Sequence, residues 1–135
     1  MRKILDAWAI LAWLHDEGPP ALVMEQLLDD AEAGAVQLSM SMINVGEVYY
    51  RLVRRRGPDE ARAFLDSLKN MSIRTLPVPK SLVIEAAEIK GRHAISYADA
   101  FAVATAVRER APLVSGDPEL LVFRQSGFVE IEWIG

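Results

Sequence analysis

An alanine-rich stretch constrains the fold of this chain more than any other feature. Between Ala94 and Ala106 most residues are small or apolar, and alanine favours helices over strands. Ser96 is placed to cap such a helix, with Asp99 in its first turn. A helix that is apolar on every side must be buried, and its small side chains let it lie close against a sheet. We therefore expect other elements to enclose it.

Short apolar strands alternate with helices along the rest of the chain. Strands are predicted at 3–5, 36–40, 73–76, 113–114 and 128–133, and further helices at 7–14, 21–33, 43–56, 58–70 and 81–90. This alternation predicts a single domain over residues 1–135, an α/β/α three-layer sandwich around a central, mainly parallel sheet of about five strands. Pro19 and Pro20 should break the chain before the second helix, and Gly91 should end the helix before the alanine-rich one. The inward face of the second helix is predicted to carry Leu22, Val23, Leu27 and Leu28.

The composition excludes several classes of function. Of the 135 residues, 51% are hydrophobic and 25% charged, the profile of a globular protein with a core. Without cysteine and with only two histidines, the chain has no disulfide framework, no thiol nucleophile and few zinc ligands. Asp6 interrupts any signal-peptide core and no apolar run is long enough to span a membrane, so we expect a cytoplasmic protein. Because the net charge is −4, a polyanionic partner needs a local basic patch or bound cations.

Four acidic residues should meet at one end of the sheet, because ligands of open parallel sheets bind beyond the carboxyl ends of the strands. Asp6 and Asp117 directly follow the first and fourth predicted strands. Glu47 lies about one turn into the helix after the second strand, and Asp99 in the first turn of the alanine-rich helix. The three aspartates also have an ordinary explanation as caps or turn residues. An ordinary structural role is less favoured for Glu47, because its neighbours are apolar and a buried unpaired carboxylate is costly.

Carboxylates gathered in one pocket need a cation to stay ionised. Two of them about 4 Å apart repel by ~4 kcal/mol at an effective dielectric constant of about 20. Oxygen ligands without cysteine or histidine favour Mg²⁺ or Mn²⁺ over zinc or copper. The chemistry that follows is hydrolysis of a phosphodiester, in which the ion activates a water molecule for in-line attack and a carboxylate accepts the proton.

Four segments together resemble the PIN-domain family, specifically its VapC-like toxins. They are Ile4-Leu5-Asp6-Ala7, Asn44-Val45-Gly46-Glu47-Val48, Ser96-Tyr97-Ala98-Asp99-Ala100-Phe101-Ala102 and Leu113-Val114-Ser115-Gly116-Asp117-Pro118. The resemblance spans nearly the whole chain and implies a Mg²⁺- or Mn²⁺-dependent endoribonuclease, the toxin of a type II toxin–antitoxin pair. It also implies the residues of the site: the metal ligands would be Asp6, Glu47, Asp99 and Asp117, and these four with Ser115 would form the catalytic set.

The same resemblance implies two protein partners. One is a second copy of the chain, in a homodimer, and the other is a small VapB-like antitoxin whose tail occludes the active groove, commonly with an arginine directed at the carboxylates. One position departs from the family pattern, since many members carry Ser or Thr two residues after the first aspartate, where this chain has Trp8. Loss of that hydroxyl would weaken metal affinity or shift its role to Ser115.

Two other functions stay open at this point. A catalytically silent binding module with the same fold would tolerate substitution of its carboxylates. A Mg²⁺-binding signalling domain of receiver type would need a lysine near the last strands, and the lysines of this chain are poorly placed for that. The function of the densest basic cluster is also open: it could guide an RNA backbone, face solvent, or contact a second subunit or the antitoxin, and it comprises Arg51, Arg54, Arg55 and Arg56.

Overall fold

The computed structural model describes all 135 residues and contains one five-stranded sheet in which all neighbouring strands are parallel. The strands are β1 (Arg2–Leu5), β2 (Gln37–Ser41), β3 (Ile73–Leu76), β4 (Leu113–Ser115) and β5 (Ile131–Trp133). Their spatial order is β3-β2-β1-β4-β5, so the strand order reverses between β1 and β4. A ligand site is expected beyond the carboxyl ends of these two strands.

Helices cover both faces of the sheet. They are α1 (Ala7–Leu14), α2 (Gly18–Glu32), α3 (Met42–Arg56), α4 (Pro58–Leu68), α5 (Lys80–Arg92) and α6 (Tyr97–Glu109), followed by a short 3-10 helix (Pro118–Phe123). Leu5 packs into a core with residues of α1 to α4, while its neighbour Ile4 packs into a second core with α5, α6 and the 3-10 helix. Because successive strand residues point to opposite faces, this division confirms the predicted three-layer α/β/α sandwich.

The alanine-rich helix α6 is enclosed, as predicted. Every residue from Asp99 to Ala106 is buried. The Ser96 hydroxyl caps the helix by accepting a hydrogen bond from the Asp99 N–H at 3.1 Å. The cap fixes the position of Asp99 near the carboxyl ends of β1 and β4.

The start of α2 differs from the prediction. Gly18, Pro19 and Pro20 do not precede the helix but form its first turn, where a proline needs no N–H donor and its fixed φ suits the helix. The inward face of α2 carries Ala21, Met24 and Leu27. Leu22 and Val23 are instead 73% and 40% exposed, so the prediction that they face inward was wrong.

Two further element boundaries differ. Helix α5 continues through Gly91 to Arg92, because Gly91 adopts a helical conformation there instead of ending the helix, at a cost of about 1 kcal/mol relative to alanine. The last strand is shorter than predicted: β5 begins only at Ile131, while Phe128 is half-exposed. It lies at the edge of the sheet, as expected. None of the helices is both long and apolar enough to cross a membrane.

Candidate active site

A cavity of about 450 Å³ opens where β1 and β4 end. Three of the four predicted carboxylates line it, those of Glu47, Asp99 and Asp117. The fourth, Asp6, is buried and close enough for the charges of Glu47 and Asp117 to act on it. The structure therefore brings residues from four separate elements to one end of the sheet, as the topology predicted.

Asp6 is tied to the end of β4 through Ser115. Its Oδ1 accepts a hydrogen bond from the Ala9 N–H at 2.9 Å, which caps α1, and the Ser115 hydroxyl donates to its Oδ2. Ser115 Oγ in turn accepts from the Asp117 N–H at 3.0 Å. Burial raises the pKa of Asp6 from 3.8 to about 7, the two hydrogen bonds oppose this, and the charges of Asp117 and Glu47 add to it. The capping role that the sequence left open for Asp6 is real, and it leaves the carboxyl beside the other acidic groups.

Asp99 has a buried oxygen without a hydrogen-bond partner. The residue is 4% exposed, and no group donates to Oδ2. The nearby Glu119 carboxyl has no proton to donate while it is ionised. Burial, the Glu119 carboxyl and the charges of Asp117 and Asp6 together raise the pKa of Asp99 to about 9. Such a group requires either a bound proton or a cation.

Glu47 is held by an arginine one turn further along α3. Its Oε2 accepts a hydrogen bond from Arg51 Nε at 3.1 Å, and the Glu47 side chain is 11% exposed. The i,i+4 spacing of the two residues was the signal for this pair, which the sequence reasoning did not use. Helix α3 is itself fixed to α6, because the buried Asn44 Nδ2 donates to the Ala98 carbonyl at 3.0 Å. This bond sets the position of α3, and hence of Glu47, relative to Asp99.

The closest group of carboxylates includes a residue that the sequence analysis missed. One carboxylate oxygen each from Asp99, Asp117 and Glu119 lie within 4.8 Å of one another, a group that includes neither Asp6 nor Glu47. Asp117 Oδ1 accepts from the Glu119 N–H at 3.0 Å, which caps the 3-10 helix and places the two residues on one turn. An acidic residue two positions after Asp117 was the available signal.

The turn that carries Asp117 packs against Trp8. A Cβ atom placed on Gly116 would lie 2.3 Å from the Trp8 ring and 2.7 Å from the Gly135 Cα, so only glycine fits there. The position at which many family members have a hydroxyl is thus filled by an indole that covers this turn. No hydroxyl of residue 8 supports the site, whereas Ser115 contacts both Asp6 and Asp117.

The residues at this site fit a hard divalent cation. All the acidic ligands offer oxygen, and the unpartnered Asp99 Oδ2 is an atom that a cation would satisfy. Three positively charged side chains line the same cavity, those of Arg51, Arg54 and Arg55. The assignment of Asp6, Glu47, Asp99 and Asp117 as metal ligands, and of these four with Ser115 as catalytic residues, stays a prediction.

Comparisons with known proteins agree with the fold. The family described as PIN domain matches residues 3–125, and a search of curated proteins finds no match. Among solved structures, VapC20 from Mycobacterium tuberculosis, named as a sarcin-ricin loop cleaving toxin, is similar with a TM-score of 0.74 and 22% identity, over 96% of this chain and 98% of that one. DNA-bound VapBC from Salmonella typhimurium has a TM-score of 0.73 and 15% identity, over 100% and 99%. VapBC2 from Rickettsia felis, bound to a promoter DNA fragment, has a TM-score of 0.72 and 15% identity, over 98% of both chains.

Proposed function

The chain belongs to the PIN-domain family, and from this premise we propose that it is a Mg²⁺- or Mn²⁺-dependent endoribonuclease, the toxin of a type II toxin–antitoxin pair acting in the cytoplasm. The observation that carries the proposal is the meeting of four carboxylates at the end of the sheet, one of which has a buried oxygen without a donor. Similar folds in VapBC complexes and in a loop-cleaving VapC toxin support it.

The protein holds its carboxylates in fixed orientations. The Ala9 N–H and the Ser115 hydroxyl each bind one oxygen of Asp6, and Arg51 binds Oε2 of Glu47. Oε1 of Glu47 is left to bind a cation or to accept the proton released by an attacking water molecule. A divalent ion held by these groups would lower the pKa of bound water and would offset the charge of the phosphodiester. Because the carboxylates are already oriented, little reorganisation is needed when substrate arrives.

The arginines of α3 are proposed to bind the RNA backbone. Arg51, Arg54 and Arg55 line the cavity beside the carboxylates, and their side chains are largely accessible. The Arg54 guanidinium lies 5.0 Å from the centre of the Tyr50 ring, a cation–π contact that restrains it. In a chain of net charge −4, this local patch supplies the attraction that a phosphate backbone needs. We also propose a VapB-like antitoxin and a second copy of the chain as partners.

The test is cleavage of total RNA by the purified protein in Mg²⁺, in Mn²⁺ and in EDTA. We expect cleavage with either ion and none in EDTA. Asp99→Asn should lose cleavage while far-UV circular dichroism and the thermal transition are kept, and Asp66→Asn, on the exposed side of α4, should cleave normally. Attack by water leaves no 2′,3′-cyclic phosphate at the new ends.

Three results would contradict the proposal. Cleavage that persists in EDTA would exclude a metal-dependent reaction. Cyclic phosphate ends would show attack by the ribose 2′-hydroxyl instead of water. A protein that binds RNA or an antitoxin but cuts nothing in either ion would be a silent binding module.

A further inference from the structure

Glu119 lies in the tightest acidic cluster of the site, outside the four residues that the family resemblance indicates. It offers a carboxylate oxygen within 4.8 Å of oxygens of Asp99 and Asp117. Two oxygens bound to one octahedral Mg²⁺ lie about 3 Å apart, or about 4.2 Å apart when they are opposite, given bond lengths of about 2.1 Å. Small side-chain rotations are therefore enough to bring the three carboxylates around one ion.

One oxygen of Asp99 in this cluster accepts no hydrogen bond. The Ser96 N–H, at the start of α6, donates to Oε2 of Glu119 at 3.4 Å, and the helix dipole adds a partial positive charge there. Neither reaches Asp99 Oδ2, which is buried without a partner. Lys90 is the nearby cationic side chain, but its ammonium donates to the Ile95 carbonyl at 2.9 Å and forms no ion pair with Glu119. A cation between the three carboxylates would supply what the protein's own groups do not.

We propose that Glu119 is a ligand of the divalent ion, and that Asp99, Asp117 and Glu119 together form a cation position. This inference rests on the proposed function, because it adds a ligand to the same metal site. Asp117 then belongs both to this cluster and to the group around Asp6, since its charge acts on both Asp99 and Asp6. Glu119 is exposed and is not part of the hydrophobic core, so its substitution leaves the core intact.

Binding of Mn²⁺, followed by electron paramagnetic resonance of the free ion, tests the proposal without requiring activity. Glu119→Gln should bind Mn²⁺ at least tenfold more weakly than the wild type. The matched control is Glu130→Gln, an exposed glutamate preceding β5, which should bind as the wild type does. Glu119→Asp, which keeps the charge on a shorter side chain, should fall between the two.

A change of ligand type separates coordination from a general effect of charge. The chain contains no cysteine, so Glu119→Cys introduces its only thiol. A thiolate that coordinates the ion favours Cd²⁺ over Mn²⁺. We expect Glu119→Cys to bind Cd²⁺ more tightly relative to Mn²⁺ than the wild type does, with a new thiolate–Cd²⁺ absorption band, and Glu130→Cys to show neither.

The outcomes distinguish this inference from the proposed function. If the wild type binds Mn²⁺ and cuts RNA, but the Glu119 variants behave like their Glu130 counterparts, Glu119 is not a ligand and only the inference is overturned. If the wild type binds no Mn²⁺ at all, the proposed metal-dependent function is overturned together with it.

Discussion

Replacing Asp6 by asparagine is expected to stabilise the metal-free protein at alkaline pH. Burial raises the pKa of Asp6 from 3.8 to about 7, so between these values the folded protein keeps a proton that the unfolded chain has lost. Because the folded state binds more protons, the free energy of unfolding decreases as the pH rises through this range and stays low above it. Asparagine has nearly the same shape, still accepts from the Ala9 N–H, and has no proton to lose.

The size of the effect follows from the two pKa values. Relative to the fully protonated protein, ionisation of Asp6 costs about 1.7 kcal/mol at pH 5 and about 4 kcal/mol at pH 9. In the variant, the asparagine NH₂ group faces the Ser115 hydroxyl where Asp6 Oδ2 accepted its hydrogen bond. Loss of this hydrogen bond should lower the free energy of unfolding by about 1 kcal/mol. The free energy of unfolding of the variant should therefore exceed that of the wild type by about 0.7 kcal/mol at pH 5 and by about 3 kcal/mol at pH 9.

Urea unfolding in EDTA at pH 5, 7 and 9 measures these differences. Asp66→Asn, at an exposed position, is the control whose difference from the wild type should not change with pH. Addition of Mn²⁺ near pH 8 should reverse the order, because an ion that binds the folded wild type stabilises it. A difference between Asp6→Asn and the wild type that does not grow with pH in EDTA refutes the reasoning, as does a more stable wild type at pH 9.

Three other substitutions test separate parts of the structure. Gly116→Ala places a methyl group 2.3 Å from the Trp8 ring and should lower the free energy of unfolding by about 1–3 kcal/mol in urea, an expectation that unchanged stability would refute. Gly46→Ala, in the interior of α3 with no atom within 4 Å of the new methyl group, should instead stabilise the protein by about 0.5–1 kcal/mol in the same assay. Arg54→Gln should weaken binding of single-stranded RNA and reduce the slope of log K against log salt concentration by about 0.7. Arg62→Gln, at an exposed position on α4, should leave this slope unchanged. Equal slopes for the two variants would exclude a phosphate contact at Arg54.

The sequence predicted the architecture because local and global signals agreed. Ile4 and Leu5 of β1 and the alanine-rich segment of α6 from Ala100 to Ala106 become buried only if other layers cover them. Errors arose where local rules compete. A proline can lie in the segment before a helix or in the first turn of the helix. For Pro19 and Pro20, only the packing of α2 decides between these two positions. Glycine commonly ends helices, but at Gly91 the tertiary contacts of α5 outweigh the low helix propensity of glycine.

The candidate site was predictable in its topology but not in its contacts. The positions of Asp6, Glu47, Asp99 and Asp117 relative to the strands were enough to predict that they meet, because parallel strands share one carboxyl edge. Glu119 was missed because a residue on a short 3-10 helix has no periodic pattern that indicates where its side chain points.

The hydrogen bond between Ser115 and Asp6 joins residues that are 109 positions apart in the chain. At a synthesis rate of about 5–20 residues per second, a ribosome needs about 5 to 20 s to make the second residue after the first. During that interval β1 has been made but its neighbour β4 has not, so the central strand lacks one of its two partners. The end of the sheet where the acidic residues meet can therefore be assembled only when translation of the chain has nearly finished.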